Sequence, residues 1–443
     1  MPLTIVHWFR RDLRVADNRA LSAACAAGKV VPLYIFDDDT PGDFGIGGAQ
    51  RWWLHHSLTA LSESLGGKLL LRRGKAADVV RAVAAEVEAS EVHANRLYEP
   101  WEAASEAALD DLVTFHDSDT IVPPERIATA AGTPFKVYGA FWRGLAEQLP
   151  PEEPDDVPAA IDLAPQPMSD DLANWNLLPT HPDWATGFGK EWTPGEAGAA
   201  ERLTDFAAEV AHYSARRDLP SEEGTSRLSP HLHWGEVSPR QVWHSLHLRG
   251  GAKLLKELAW RDFARSAIRA QPDLGTRNGR AAFDRLTWRD APADLAAWQQ
   301  GRTGFPIVDA GMRQLWASGW MHNRVRMIVA SFLVKHLLID WRAGAMWFWD
   351  TLVDADYGNN SLNWQWVAGT GTASQPFFRI MAPLVQSEKF AAADYIRLWV
   401  PDLAHLSDAA IHDPADDDRG AYPLKLIGHR EARERALAAF KAG

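Results

Sequence analysis

Leu3-Thr-Ile-Val-His-Trp-Phe9 and Lys29-Val-Val-Pro-Leu-Tyr-Ile-Phe36 are short apolar runs rich in β-branched and aromatic residues. Between them, residues 18–27 form an Ala-rich stretch of helical character that stops near Gly28. Apolar runs of this length suit strands, and a helix between two of them is a βαβ unit. The alternation continues downstream: residues 52–65 predict a helix, 68–71 a strand, 76–88 a helix and 91–94 a strand. The expectation is an α/β domain over residues 1–130, a parallel sheet with helices on both faces.

The pattern then changes. Residues 149–196 are rich in proline and acid, opening Leu149-Pro-Pro-Glu-Glu-Pro-Asp-Asp156, and carry no apolar period. That predicts a long interdomain linker over residues 131–200. Further on, the segments 254–270, 307–318, 324–338 and 395–400 carry helix-spaced apolar residues. Residues 201–443 therefore predict a larger all-α domain.

Composition sets the limits. At roughly 100–200 residues per domain, a chain of 443 residues predicts at least two domains. Its 46% apolar and 23% charged residues exclude wholesale disorder. A single cysteine, Cys25, excludes a disulfide framework, a Cys-ligated zinc site and an iron–sulfur cluster. No uncharged apolar window is long enough for a membrane span, and Arg10, Arg11 and Asp12 interrupt any secretory signal, so a soluble cytoplasmic protein is expected. The 21 Trp against 7 Tyr are unusual. The net charge of −12 argues against a polyanionic partner, but residues 251–350 hold 15 Lys and Arg against 9 Asp and Glu, a local +6, leaving −18 on the other 343 residues. One basic face in an acidic protein is compatible with this; so are scattered or salt-bridged arginines.

Four segments carry candidate chemistry. Gly224-Thr-Ser-Arg-Leu-Ser229-Pro230 sets small hydroxyl residues after glycine at the start of a helical region, which suits an anion or, equally, a helix cap. Glu257, Trp260 and Arg261 share one helical face, where a carboxylate beside an indole can read and stack a base; a Glu257–Arg261 surface pair is the plainer reading. Trp320-Met-His-Asn-Arg-Val-Arg-Met327 gathers amide, imidazole, guanidinium and thioether within two turns. Asp354-Ala-Asp-Tyr-Gly-Asn-Asn-Ser-Leu-Asn-Trp-Gln-Trp366 holds two aspartates, three asparagines and two indoles, and without a histidine or third carboxylate it predicts no metal site.

Together with the opening His7-Trp-Phe-Arg-Arg-Asp-Leu-Arg14 and with Thr303-Gly-Phe-Pro-Ile-Val-Asp-Ala-Gly-Met-Arg313, these segments resemble the DNA photolyase/cryptochrome family over nearly the whole chain, with bacterial class I cyclobutane pyrimidine dimer photolyases as the nearest match. The resemblance implies that the helical domain binds FAD, active as FADH−. Tyr213 and Thr225, Ser226, Arg227, Leu228 and Ser229 match the segment holding its phosphates. Asp354, Ala355 and Asp356 match residues beside the flavin, with Arg326 paired to Asp354, and Asn360 matches the amide facing flavin N5. Glu257 and Asn323 match groups that bond a flipped-out dimer, Trp260 and Trp366 the pocket walls, and Met327 its lining. Arg217, Arg261 and Arg324 match the DNA-binding side. Trp364, Trp341 and Trp288 match an electron relay running outward from the flavin.

The implied reaction is light-driven electron donation from reduced FAD to the dimer, ring splitting and return of the electron. Members acting on (6-4) lesions carry histidines where Asn323 and Met327 stand, so cyclobutane dimers are expected here. The alternative is a cryptochrome-like blue-light photoreceptor with the same fold and FAD but no repair. Glu102 matches a carboxylate contacting a methenyltetrahydrofolate antenna, which is preferred over deazaflavin, although a lysine expected ahead of Trp288 is replaced near Gly275 and Thr276. Arg379-Ile-Met-Ala-Pro383 also departs from the usual Arg-Ile-Phe-Asn-Pro. Expected partners are UV-damaged DNA alone, with no membrane and no obligate protein partner, the chain being monomeric.

Overall fold

The computed structural model describes residues 3–372, 374 and 376–442. Five strands, β1 (Thr4–Phe9), β2 (Lys29–Phe36), β3 (Leu70–Arg73), β4 (Glu91–Asn95) and β5 (Val113–His116), form one parallel sheet in the order β3-β2-β1-β4-β5. The connecting helices are α1 (Arg19–Ala27), α2 (Gly48–Ser64), α3 (Ala76–Glu86) and α4 (Pro100–Ala108). Asn18 caps α1, its side chain accepting from the Leu21 N–H at 3.1 Å, an interaction worth about 1 kcal/mol. β1 is central, and Ile5, Val6 and Phe9 are wholly buried, which accounts for its largely apolar sequence. β5 escaped the sequence reading because Val113-Thr-Phe-His116 is a short edge strand with a single fully buried residue. The order reverses on either side of β1, opening a crevice at the carboxyl ends of the strands.

The remainder is helical. The helices Ala252–Ala270, Pro306–Ser318, Asn323–Ser331, Trp341–Thr351 and Tyr357–Ala368 supply most of a core that includes Trp298, Phe332, Trp341 and Trp364. The continuous helix expected over 324–338 passes instead into a π-helical turn, Phe332–His336, ending at Leu338 with φ +53°.

Residues 131–200 are more ordered than a linker. Helix α5 (Tyr138–Ala146) buries Phe141 and Leu145. Trp175, Leu177, Phe188 and Trp192 enter the same apolar cluster as Phe9, Trp53 and Trp320. The sequence hid this because isolated aromatic anchors on irregular backbone have no period to detect. Gly235 fastens the two parts directly. It has φ +67°, and an added Cβ would lie 2.0 Å from the Arg11 carbonyl oxygen. Around it Leu13 N–H donates to the Trp234 carbonyl (3.1 Å), and Arg14 Nη1 to that of Gly235 (2.8 Å). Among the described residues, no helix is long and apolar enough to cross a membrane.

Candidate functional site

A cavity of about 890 Å³ runs into the helical part. One wall is the loop leading into the Ser229–Trp234 helix, where Thr225, Ser226 and Ser229 line the space. Arg227, at φ +51°, shapes this loop. Its guanidinium lies between the rings of Trp192 (4.4 Å) and Trp320 (5.1 Å) and bonds Glu191 at 2.8 Å. The charge of Arg227 is thus committed to the protein, and the hydroxyls remain for a ligand. Tyr213 also lines the cavity, with the Arg217 guanidinium 5.3 Å over its ring.

Two acids follow. Asp354 accepts from Arg326 Nη2 at 2.9 Å, and its other oxygen is buried without a partner among the described residues. Asp356 caps the Tyr357–Ala368 helix by accepting from Asn359 N–H at 2.8 Å, and pairs with Arg265 at 2.7 Å. Burial opposes charge on Asp356, but Arg265 and then His233 outweigh it and hold the carboxyl well below the usual range. Arg265 is itself wholly buried and touches Glu99 and Asp119, which also bind Arg11 and Arg261. Three guanidiniums face three carboxylates, a neutral buried network joining the α/β part to the cavity.

The cap fixes the phase of that helix, and Asn359, Leu362, Asn363 and Trp366 face the cavity. Asn360, expected at the flavin, does not line it; its amide donates to the Ala345 carbonyl at 2.9 Å. Ala355 is also turned away, its carbonyl accepting from Gln50 at 3.2 Å.

Glu257, Trp260, Asn323, Arg324 and Met327 line the same cavity. Glu257 bonds Arg217 at 2.5 Å and lies 3.3 Å from Lys253. Arg324 bonds Asp218 at 2.7 Å. His322 caps the Asn323–Ser331 helix by accepting the Arg324 N–H at 3.2 Å. Burial lowers its pKa to about 4, against the pull of Asp218, so the ring is neutral and free to accept. Arg261, expected on the DNA side and as an alternative partner of Glu257, lines the cavity but does not pair with Glu257. It is buried, its guanidinium bound to Asp119 and the Leu232 carbonyl. Phe135 and Lys136 also line the cavity; sequence reading had placed them in a linker.

Asp262, next to Arg261, is wholly buried and accepts from Ile121 N–H at 2.9 Å. Desolvation pushes its pKa up to about 7, against the pull of Arg261. Its folded pKa lies above the unfolded value of about 3.9, so the folded state binds the extra proton and stability falls as pH rises from about 4 to 7. Asp262→Asn should remove part of that decline. Thermal melts from pH 5 to 8 check this: an equal or steeper fall in the variant would contradict it.

Comparison with known proteins decides the family. Residues 5–160 match the family described as DNA photolyase, and residues 254–442 the FAD binding domain of DNA photolyase. A deoxyribodipyrimidine photo-lyase of Agrobacterium fabrum is 46% identical across 99% of this chain and 98% of its own. This chain belongs to the DNA photolyase/cryptochrome family. A crystal structure of a bacterial class III photolyase from Agrobacterium tumefaciens superposes with a TM-score of 0.94 at 45% identity, covering 100% of this chain and 98% of that one. The class I placement expected from sequence gives way to this likeness to class III. Cryptochrome-1 of Arabidopsis thaliana is 34% identical over 97% of this chain and 69% of its own.

In this photolyase-family chain the residues present fit FAD. Hydroxyls of Thr225 and Ser229, the unpartnered oxygen of Asp354 and the Arg326 pair all meet at the cavity. Trp364, Trp341 and Trp288, the tryptophans expected to form an electron relay, belong to or pack on one core. Trp364 contacts Phe348 (5.0 Å) and Trp298 (6.3 Å), and Trp341 donates to Asn278 at 3.0 Å. Trp288 is half-buried. A second cavity, about 100 Å³, sits at the carboxyl ends of the strands among Arg10, Tyr34, Phe36, Trp101 and Glu102. Glu102 is tied to Arg10 at 2.5 Å, which leaves it one edge for any further ligand.

Proposed function

We propose that this photolyase-family protein repairs cyclobutane pyrimidine dimers in UV-damaged DNA under blue light. The observation that carries the reading is that one cavity joins the hydroxyl and carboxylate groups suited to FAD with Glu257, Trp260, Asn323, Met327 and Trp366, none of which is a second histidine of the (6-4) type. FAD, when bound in its reduced form, supplies the photoexcited electron. The chain's residues do the rest. Trp260 and Trp366 wall the space for two flipped bases, and Glu257 and Asn323 offer an acceptor and an amide to their edges. Arg217 and Arg324 would meet phosphates, Arg326 and Asp354 would form the polar edge at the flavin, and Asn359, which lines the cavity where Asn360 does not, would face it. The second cavity would house an antenna of folate type, contacted by Glu102, visible as a strong near-ultraviolet band beyond that of FAD in purified protein. The reduced holoprotein should restore a thymine-dimer oligonucleotide under blue light and not in the dark. No repair in single or double strands would favour the photoreceptor reading instead.

Trp341 is fully buried between the Trp364 side of the core and its own bond to Asn278. Trp341→Phe should slow photoreduction of oxidised FAD at least several-fold while repair by chemically prereduced protein stays within about 2-fold, since removal of one relay ring leaves the lesion end untouched. Transient absorption of the flavin together with repair assays measures both. Unchanged photoreduction would remove Trp341 from the relay.

A further inference from the structure

We propose that Tyr138 is a positioning residue for the lesion end of the cavity: from behind, it fixes the plane of the Trp260 indole on which a flipped base stacks. The proposal rests on the repair reading of that cavity and adds to it a residue from outside the helical part. Tyr138 is the first residue of α5, in the stretch between the sheet and the helices. Its ring lies 3.7 Å from that of Trp260, with the planes 6° apart.

Such close face-to-face stacking is not what two isolated aromatic rings prefer, because their negative faces oppose one another. Something else must impose it, and two contacts do. The Tyr138 hydroxyl donates to the Lys256 carbonyl, one helical turn ahead of Trp260. Phe263 meets both rings edge-on, at 5.9 Å from Tyr138 and 5.6 Å from Trp260, with interplanar angles of 80° and 83°. The indole is thus held on its rear face and its edge, and it lines the cavity. A base stacking there meets a wall already ordered, and less freedom is lost on binding. The hydroxyl keeps its proton across the working range, since burial and then the nearby Glu257 push its pKa upward.

The test is binding of the FAD-loaded protein to a thymine-dimer oligonucleotide and to its undamaged twin. Tyr138→Leu keeps apolar volume and loses the stack; it should weaken dimer binding about 5- to 10-fold, the scale of one wall side chain left to be ordered. Affinity for undamaged DNA and FAD content should hold. Tyr138→Phe keeps the ring and should recover most of the loss. A purely structural role would instead lower FAD retention and both affinities together, and that result would overturn the proposal. So would a Tyr138→Leu protein that prefers dimers as strongly as wild type while Trp260→Leu does not. If wild type itself shows no preference for the dimer, the repair reading falls and the proposal with it. If Tyr138→Leu does not fold, a Tyr138→Phe protein that binds dimers as poorly as Trp260→Leu would overturn the stacking role.

Discussion

Arg265→Leu is expected to destabilise the protein by about 3–5 kcal/mol and to abolish FAD retention, because truncating one partner of a buried ion network strands the others. The magnitude follows from position. The guanidinium is wholly buried and faces Glu99, Asp119 and Asp356 at 3.3, 2.9 and 2.7 Å. With it gone, Arg11 and Arg261 cannot neutralise three carboxylates, and Asp356 at the cavity loses its main counter-charge. Arg265→Lys restores charge without the fork that reaches several acids, so it should rescue only partly. Chemical denaturation and flavin absorbance of the purified variants measure the two effects. A variant that melts like wild type with FAD bound would show that the network is not the brace described above.

The second large effect is at Gly235. Gly235→Ala is expected to cost about 3 kcal/mol, combining left-handed backbone strain with overpacking. At φ +67° the new Cβ would meet backbone, the Arg11 carbonyl oxygen at 2.0 Å and its carbon at 2.6 Å, and backbone cannot swing aside as a side chain can. The shift would pull Arg11 from Glu99 and open the seam between sheet and helices, so lower stability should come with increased proteolysis near residue 235. Unaltered melting would contradict this. Gly66, also at positive φ but with nothing near its Cβ, provides the control: Gly66→Ala should show the strain alone.

The sheet was legible because β1 and β2 are central and nearly all apolar; β5, at an edge and four residues long, was not. That Glu257, Asn323 and Met327 would come together was legible from motifs that name residue types, and one cavity gathers all three. Side-chain direction was beyond reach. Arg261 stands beside Trp260 at the cavity yet spends its guanidinium on Asp119, and one step of helix phase separates Asn359 at the cavity from Asn360 at a backbone carbonyl. Tyr138 and Lys136 fell inside the linker expected over 131–200, although Tyr138 opens α5, which packs through a few large rings.

The pairing of Arg217 with Glu257 and of Arg324 with Asp218 bears on how ionic strength would act at the cavity. A guanidinium on an open surface gathers loosely held anions, and a phosphate that displaces them gains their release, which is why DNA affinity usually falls steeply with salt. Here each of these arginines already carries a fixed carboxylate. A phosphate would exchange one bound anion for another and liberate little salt, so the two arginines would add less to the salt dependence than their charge suggests. Under the repair reading, these two arginines would then add little salt-sensitive affinity for undamaged duplex.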